Sequence, residues 1–203
     1  SIIALMALAP LHRVARMRRL VASTYQAVSG TGSAAVKELE NQARQWVGGK
    51  PLTREVYPHP IAFNLLPHIG GVKDDSGETT EESKMRRETH KILGDATIKI
   101  TATCVRVPVI NGHSEALFVE FEKPISPDQA REILSRSPGV LVMDDVKNAV
   151  YPMPALASGR YEVLAGRIRR DDTVPNGLAL FVAGDNIWKG AAQNAIQIAE
   201  ALI

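Results

Sequence analysis

The sequence predicts an α+β domain in which strands and helices are interspersed along one chain. Three observations carry that expectation. From Thr97 to Ile110 the residues alternate, with Ile98, Ile100, Ala102 and Cys104 on one face, the period of a half-buried strand. Two capping boxes, Thr79 with Glu82 and Ser126 with Gln129, each open a helix. Two further apolar runs, 163–170 and 177–183, flank the polar link 171–176 and read as a strand pair.

Length and composition bound the rest. A chain of 203 residues with 45% hydrophobic and 23% charged residues can bury a sizeable core as one domain. A net charge of +2 with interspersed signs provides no nucleic-acid footprint. A single cysteine, Cys104, excludes an internal disulfide framework and fits a reducing, cytoplasmic setting. Residues 1–11 are almost wholly apolar, and Arg13, Arg16, Arg18 and Arg19 follow them, the reverse of a signal peptide. The run is too short to span a membrane. As a helix it is apolar all round and calls for cover on every side, so the chain is expected to begin inside a larger protein.

In chain order, 1–11 is a buried helix that Pro10 should bend or end. Residues 20–26 form a short strand leading through Gly30 and Gly32 into a helix over about 34–47, stopped by Gly48-Gly49. Strand, glycine loop and helix start make either a tight turn with a cap or an anion cradle. Residues 50–77, rich in Pro, Gly, His and Asp, predict an irregular loop, with His59 and His68 as ordinary loop histidines. A helix runs from Thr79 to about Leu93, with Gly94 as its stop; on it Glu88 and Lys91 are neighbours, a surface pair or an anion-binding one. The second capped helix ends near Ser137, 139–143 is a short strand and 147–159 a loop. Arg167, Arg169 and Arg170 read as strand residues more readily than as a phosphate patch. A smooth, alanine-rich helix over 188–203 ends the chain.

The centre of the sequence is 103–115. Arg106 shares the parity of the apolar face and so calls for an acidic or anionic partner. Asn111-Gly112 predicts a hairpin, with 114–122 returning. In that register Arg106 and His113 lie on one face about 13 Å apart, room for a small anion between them. An internal ion pair and a solvated turn histidine are the structural alternatives.

Taken together, the segments Ser23-Thr24-Tyr25-Gln26-Ala27-Val28-Ser29-Gly30, Ala62-Phe63-Asn64, Glu88-Thr89-His90-Lys91, Cys104-Val105-Arg106-Val107-Pro108-Val109 with Gly112-His113-Ser114-Glu115, Gly166-Arg167-Ile168-Arg169-Arg170 and Gly190-Ala191-Ala192-Gln193-Asn194-Ala195 resemble, in order and spacing, the C-terminal half of aspartate-semialdehyde dehydrogenases. The resemblance implies a mixed β-sheet with helices on one face, as in the C-terminal domain of glyceraldehyde-phosphate dehydrogenases. It implies NADPH-dependent reductive dephosphorylation of aspartyl phosphate to aspartate semialdehyde, a step of lysine, threonine and methionine biosynthesis, in a homodimer or homotetramer. By the same resemblance His113 is the general acid/base, Gln26 orients the reacting group, Arg106 binds the substrate carboxylate, and Glu88 and Lys91 hold the amino group and the phosphate. Asn194, Ser29 and Gly30 would face NADP. The nucleophilic cysteine and the dinucleotide-binding domain would precede Ser1, and Cys104 matches a structural position. Residues 1–183 would form the catalytic and dimerisation domain, with 184–203 a helix that packs against the dinucleotide-binding domain.

Overall fold

The computed structural model describes residues 1–72 and 74–202, so Lys73 and Ile203 lie outside the described residues. The elements are α1 (Ile2–Ala15), β1 (Met17–Gln26), a 3₁₀ turn (Val28–Thr31), α2 (Ser33–Val47), α3 (Thr80–Leu93), β2 (Lys99–Arg106), β3 (His113–Phe121), α4 (Pro127–Ser135), β4 (Val140–Val142), α5 (Pro154–Ala157), β5 (Val163–Asp171), β6 (Gly177–Gly184), a π-helical turn (Trp188–Ala192) and α6 (Gln193–Ala201). Both capping boxes form, and Gly94 ends α3 in the left-handed conformation.

The six strands make one mixed sheet in the order β2-β1-β3-β6-β5-β4. The outer pairs β1–β2 and β4–β5 are parallel and the inner pairings antiparallel. This corrects the expected hairpin: β2 and β3 do not pair, because β1 lies between them and takes both as partners. Residues 107–112 instead wrap around the end of β1, with Val28 and Ser29 donating to the carbonyls of Val109 and Ile110. Gly112 keeps a positive φ of 91° there, and a Cβ on it would stand 2.8 Å from the Pro154 carbonyl.

Helices α1 and α4 lie on one face of the sheet, over β3, β6 and β5, and α3 packs along β2. Leu8, Leu11, Leu20, Leu117, Phe121 and Leu178 are fully buried there. The all-round apolarity of α1 is met by sheet, α4 and the π-helical turn together. Pro10 does not end α1, which runs on to Ala15 with Pro10 buried; packing on both sides outweighs the one backbone bond that proline forfeits. The single turn α5 lies on the opposite face, where Ala157 meets Leu164 and Ala183, so the helices are not all on one side. The rest of that face is open, and Tyr25 and Phe118 stand on it more than one-third exposed, with the Tyr25 ring 6.1 Å from that of Phe181.

The backbone of β5 is irregular at its arginines. A bulge between Gly166 and Arg169 puts Arg167 at φ 55°, and the Asp144 carboxylate accepts from the amides of Arg167 and Ile168 and from Arg131. Gly166 is required at this place, because a Cβ would lie 2.0 Å from the Met143 carbonyl oxygen. The long loop is irregular but anchored. Fully buried Gln42 donates to the Thr53 carbonyl and to Glu38 and accepts from the amides of Ile61 and Ala62, while Glu38 accepts from Glu55 and Val56. Since Gln42→Ala leaves several of these groups buried without a partner, it should lower stability by about 3 kcal/mol. Urea unfolding should then show a lower midpoint at unchanged slope.

Candidate active site

The site forms where the chain leaves β1. Ala27 is fully buried, and its main chain serves two side chains at once. Its N–H donates to His113 Nδ1 at 3.0 Å, and its carbonyl accepts from Arg106 Nη1 at 2.7 Å. Gly30, on the 3₁₀ turn, touches both, since a Cβ there would stand 3.1 Å from Arg106 Nη1 and 3.1 Å from His113 Nε2. Arg106 and His113 therefore converge over Gly30, rather than lying four strand pairs apart as the hairpin register would have them. The insertion of β1 makes the difference, because it aligns Arg106 with Gln26 and Ser114 with Tyr25 across neighbouring ladders.

Two cavities flank this junction. One, of about 270 Å³, is lined by Thr24, Gln26, Glu81, Lys84, Glu88, His113, Glu115, Asn186 and Gly190. The other, of about 680 Å³ and more apolar, is walled by Tyr57, Leu65, Leu66 and His68 from the long loop and shares Gly30 and Arg106. The backbone of Arg106 is clamped from the loop side as well, by a two-way bridge to Leu66. Its Nε is buried and has no partner among the described residues, so the guanidinium keeps a donor for an anion.

Gln26 lies in the cavity wall, with Nε2 3.3 Å from Thr24 Oγ1 and 3.5 Å from Glu81 Oε1. Glu88 lines the cavity too, but Lys91 is exposed one turn further along α3 and does not. Glu81 and Lys84, paired at 3.6 Å, have the same spacing as Glu88 and Lys91 and occupy the cavity instead. The two pairs are seven residues apart, two turns on one helix face, so periodicity could not choose between them. Thr24, Glu115 and Asn186 were not picked out from the sequence. Glu115 could have been, since it shares the strand parity of His113.

A polar network behind the turn holds His113 in place. Ser29 Oγ donates to Asn111 Oδ1 and accepts from Asn186 Nδ2, so it is a brace between loops. Asn186 Oδ1 accepts from the Gly112 amide at 2.9 Å, and Asn111 Nδ2 donates to Asp185. Buried Asp185 also accepts from the amides of Gly159, Ile187 and Trp188. Burial pushes its carboxyl up, but the bonds from Gly159, Trp188, Asn111 and Ile187 more than offset that and hold it below the ordinary value. Asn194, half-buried on α6 one turn past Gly190, does not line the cavity.

The ionisations follow from burial. Cys104 is 1% exposed and its thiol is pushed up to about 11, so it stays protonated. Burial raises Glu115, whose Oε2 has no partner among the described residues. His113 is driven down from 6.5 to about 3, first by burial and then by the Arg106 charge. An unfolded chain would protonate this histidine near 6.5 while the folded one resists down to about 3, so the unfolded state binds the extra proton between those values. Stability should rise with pH across that window and level off above it. His113→Asn should flatten the dependence, read as urea midpoints at about pH 4 and pH 7.

The semialdehyde dehydrogenase dimerisation-domain family matches residues 8–189. The chain is 52% identical over 198 residues to an aspartate-semialdehyde dehydrogenase of Aquifex aeolicus, covering 97% of this chain and 58% of that protein. It is 48% identical to the Legionella pneumophila enzyme of the same name, covering 97% and 56%. Among solved structures, aspartate semialdehyde dehydrogenase II of Vibrio cholerae complexed with ASA superposes with a TM-score of 0.94 at 40% identity, covering 98% of this chain and 58% of that one. The Candida albicans enzyme with NADP superposes at 0.70 and 26% identity, covering 98% and 54%. The chain thus spans little more than half the length of the relatives it matches. With a single family signature running across its sheet, turn and helices, the chain belongs to the semialdehyde dehydrogenase dimerisation-domain family.

Proposed function

We propose that the chain is the catalytic and dimerisation part of an aspartate-semialdehyde dehydrogenase, which converts aspartyl phosphate to aspartate semialdehyde and phosphate with NADPH. The observation that carries this reading is the meeting of Arg106 and His113 over Gly30, beside a polar cavity, in a chain 52% identical to an enzyme of that name. The nucleophile comes from outside this chain, because Cys104 is buried and held as a thiol. Its thiolate attacks the acyl phosphate, phosphate leaves, and reduction of the resulting thioester releases the aldehyde. The hydride is the chemistry NADPH supplies.

The residues of this chain divide the remaining work. The open donor edge of Arg106 holds the substrate carboxylate and fixes its register. Gln26 orients the reacting group, Glu81 with Glu88 faces the amino group, and Lys84, in place of Lys91, meets the phosphate. His113 presents Nε2 to the reacting atoms. A cofactor would be met at the Gly190 edge of the cavity, where a Cβ would meet nothing nearer than Asn186 at 4.0 Å, with Asn194 a turn away and Ser29 bonded to Asn186. Residues 1–183 form the catalytic and dimerisation unit in this reading. The helix within 184–203 docks on a dinucleotide-binding domain through Ile196 and Ile198, both more than half exposed. A cytoplasmic location goes with the free, buried thiol; no helix among the described residues is long and apolar enough to cross a membrane. The open sheet face around Tyr25 and Phe118 pairs with that of a second copy.

The test is oxidation of aspartate semialdehyde with phosphate and NADP by the whole natural polypeptide that carries this chain. Arg106→Lys should lower kcat/KM by about a hundredfold or more, since a misplaced carboxylate loses its register. Lys84→Ala should raise the KM for phosphate while Lys91→Ala leaves it within about twofold. Activity with a different amino-acid semialdehyde alone would redirect the reading to a related acyl-phosphate reductase. Inactivity of the folded polypeptide would leave a non-catalytic dimerisation module. Phe118→Glu should convert the oligomer to monomers in sedimentation velocity, because a charge on a closed apolar face is costly.

A further inference from the structure

Helix α1 starts without a cap of its own. Ser1 stands at its N-cap but makes no side-chain bond there, and the first turn carries no acidic residue. The first amides of a helix have no intrahelical acceptor, and Ala4, 1% exposed, is cut off from water as well. A buried N–H in that position calls for an acceptor from elsewhere in the fold. Glu115 of β3 supplies one, since its carboxyl group faces the Ala4 amide. Its Oε1 is 3.9 Å from the backbone nitrogen of Ser1, a peptide amide in the longer polypeptide proposed above. The same turn of α1 is seated on the sheet at the level of His113. Ile3 packs over Gly184, where a Cβ would stand 2.9 Å from Ile3 Cγ1, and Gly184 is the register partner of His113. Glu115 shares a face of β3 with His113, about 7 Å further along the strand. Both line the polar cavity, together with Ile2 and Ile3 from the helix start.

Resting on the reading above, in which the nucleophile comes from the backbone leading into α1, we propose that Glu115 is a positioning residue that latches the first turn of α1 to β3. The latch sets the distance between nucleophile and His113, because both are then held at neighbouring points of one strand. Glu115 acts as a hydrogen-bond acceptor for helix amides; it does not touch the substrate and exchanges no proton in the reaction. It has no part in the roles given above to Gln26, Glu81, Lys84, Arg106 and His113. Lys84, the cation lining the same cavity, is paired with Glu81 instead. Glu115 is 3% exposed, and its Oε2 is buried with no partner among the described residues. A carboxyl group in such a place costs stability, so the helix end it holds is the evident gain. Burial is the main cause that raises this carboxyl, with the Ala4 amide opposing and Glu81 adding to it. An acceptor that needs no negative charge can be replaced by an amide of the same shape.

The test compares Glu115→Gln, which keeps a carbonyl acceptor, with Glu115→Met, which keeps the volume and removes the acceptor. Both are made in the whole natural polypeptide that carries this chain and assayed with aspartate semialdehyde, phosphate and NADP. Glu115→Met should lower kcat by about tenfold or more, with the KM for aspartate semialdehyde within about twofold, since a displaced nucleophile loses rate and not substrate binding. Glu115→Gln should stay within about threefold of the natural kcat, because the amide bond to the helix survives. Hydrogen exchange at the Ile3 and Ala4 amides should quicken in Glu115→Met and not in Glu115→Gln. A Glu115→Met protein that folds and keeps its kcat, or its natural exchange at Ala4, overturns the proposal. So does a Glu115→Gln protein as slow as Glu115→Met. If Glu115→Met does not fold, Glu115→Asp decides: its shorter side chain should lower kcat at unchanged KM and quicken exchange at Ala4. An Asp variant that matches the natural protein in either respect refutes the latch. Absence of turnover by the natural protein would sink the function reading, while exchange at Ala4 would still decide whether Glu115 holds the helix.

Discussion

The main chain of one residue organises this site. Ala27 gives its N–H to His113 and its carbonyl to Arg106, so the two side chains are set by a group that cannot rotate or titrate. A buried residue must satisfy both its main-chain polar atoms, and Ala27 does so with the two residues best suited to anion and proton chemistry. That is possible because β1 lies between β2 and β3. Its ladder with β2 closes at Gln26–Arg106 and its ladder with β3 at Tyr25–Ser114, next to His113, the first residue of β3.

Rigidity around Ala27 comes from two buried polar networks. On one side Asp185, Asn186 and Asn111 tie the turn before His113 to the start of the C-terminal helical segment. Any shift of this segment would pull on the turn carrying His113, so the two are mechanically joined. On the other side Gln42 and Glu38 bind the irregular loop to α2, and the loop in turn clamps Arg106 through Leu66. The loop lacks regular structure but not order, because its amides find side-chain acceptors instead of ladder partners.

Much of the local structure was legible in the residues. Thr79 with Glu82, Ser126 with Gln129 and Gly94 act through contacts three or four residues apart, and each formed as its spacing required. The strand alternation of β2 correctly buried Cys104 and Arg106. The failures were all failures of distance along the chain. Asn111-Gly112 signals a hairpin, yet β1, some eighty residues earlier, outcompeted the local pairing. Pro10 signals a break, yet tertiary packing on several sides of α1 overrode it. Glu88 and Lys91 are indistinguishable by spacing from Glu81 and Lys84; the packing of α3 along β2 brings Glu81, Lys84 and Glu88 to the cavity and leaves Lys91 exposed.

The sequence by itself determined the element types, the caps, the inward parity of Arg106 and the family, because these depend on short-range sterics and on residue order. It also marked His113 and Gln26, through the motifs that carry them. Only the tertiary structure decided that Arg106 and His113 share the main chain of one residue, that Lys84 and not Lys91 reaches the cavity, and that the histidine ring meets a donor at Nδ1. These depend on strand order, and strand order is settled by which long-range pairing buries the most surface and leaves the fewest peptide groups unpaired.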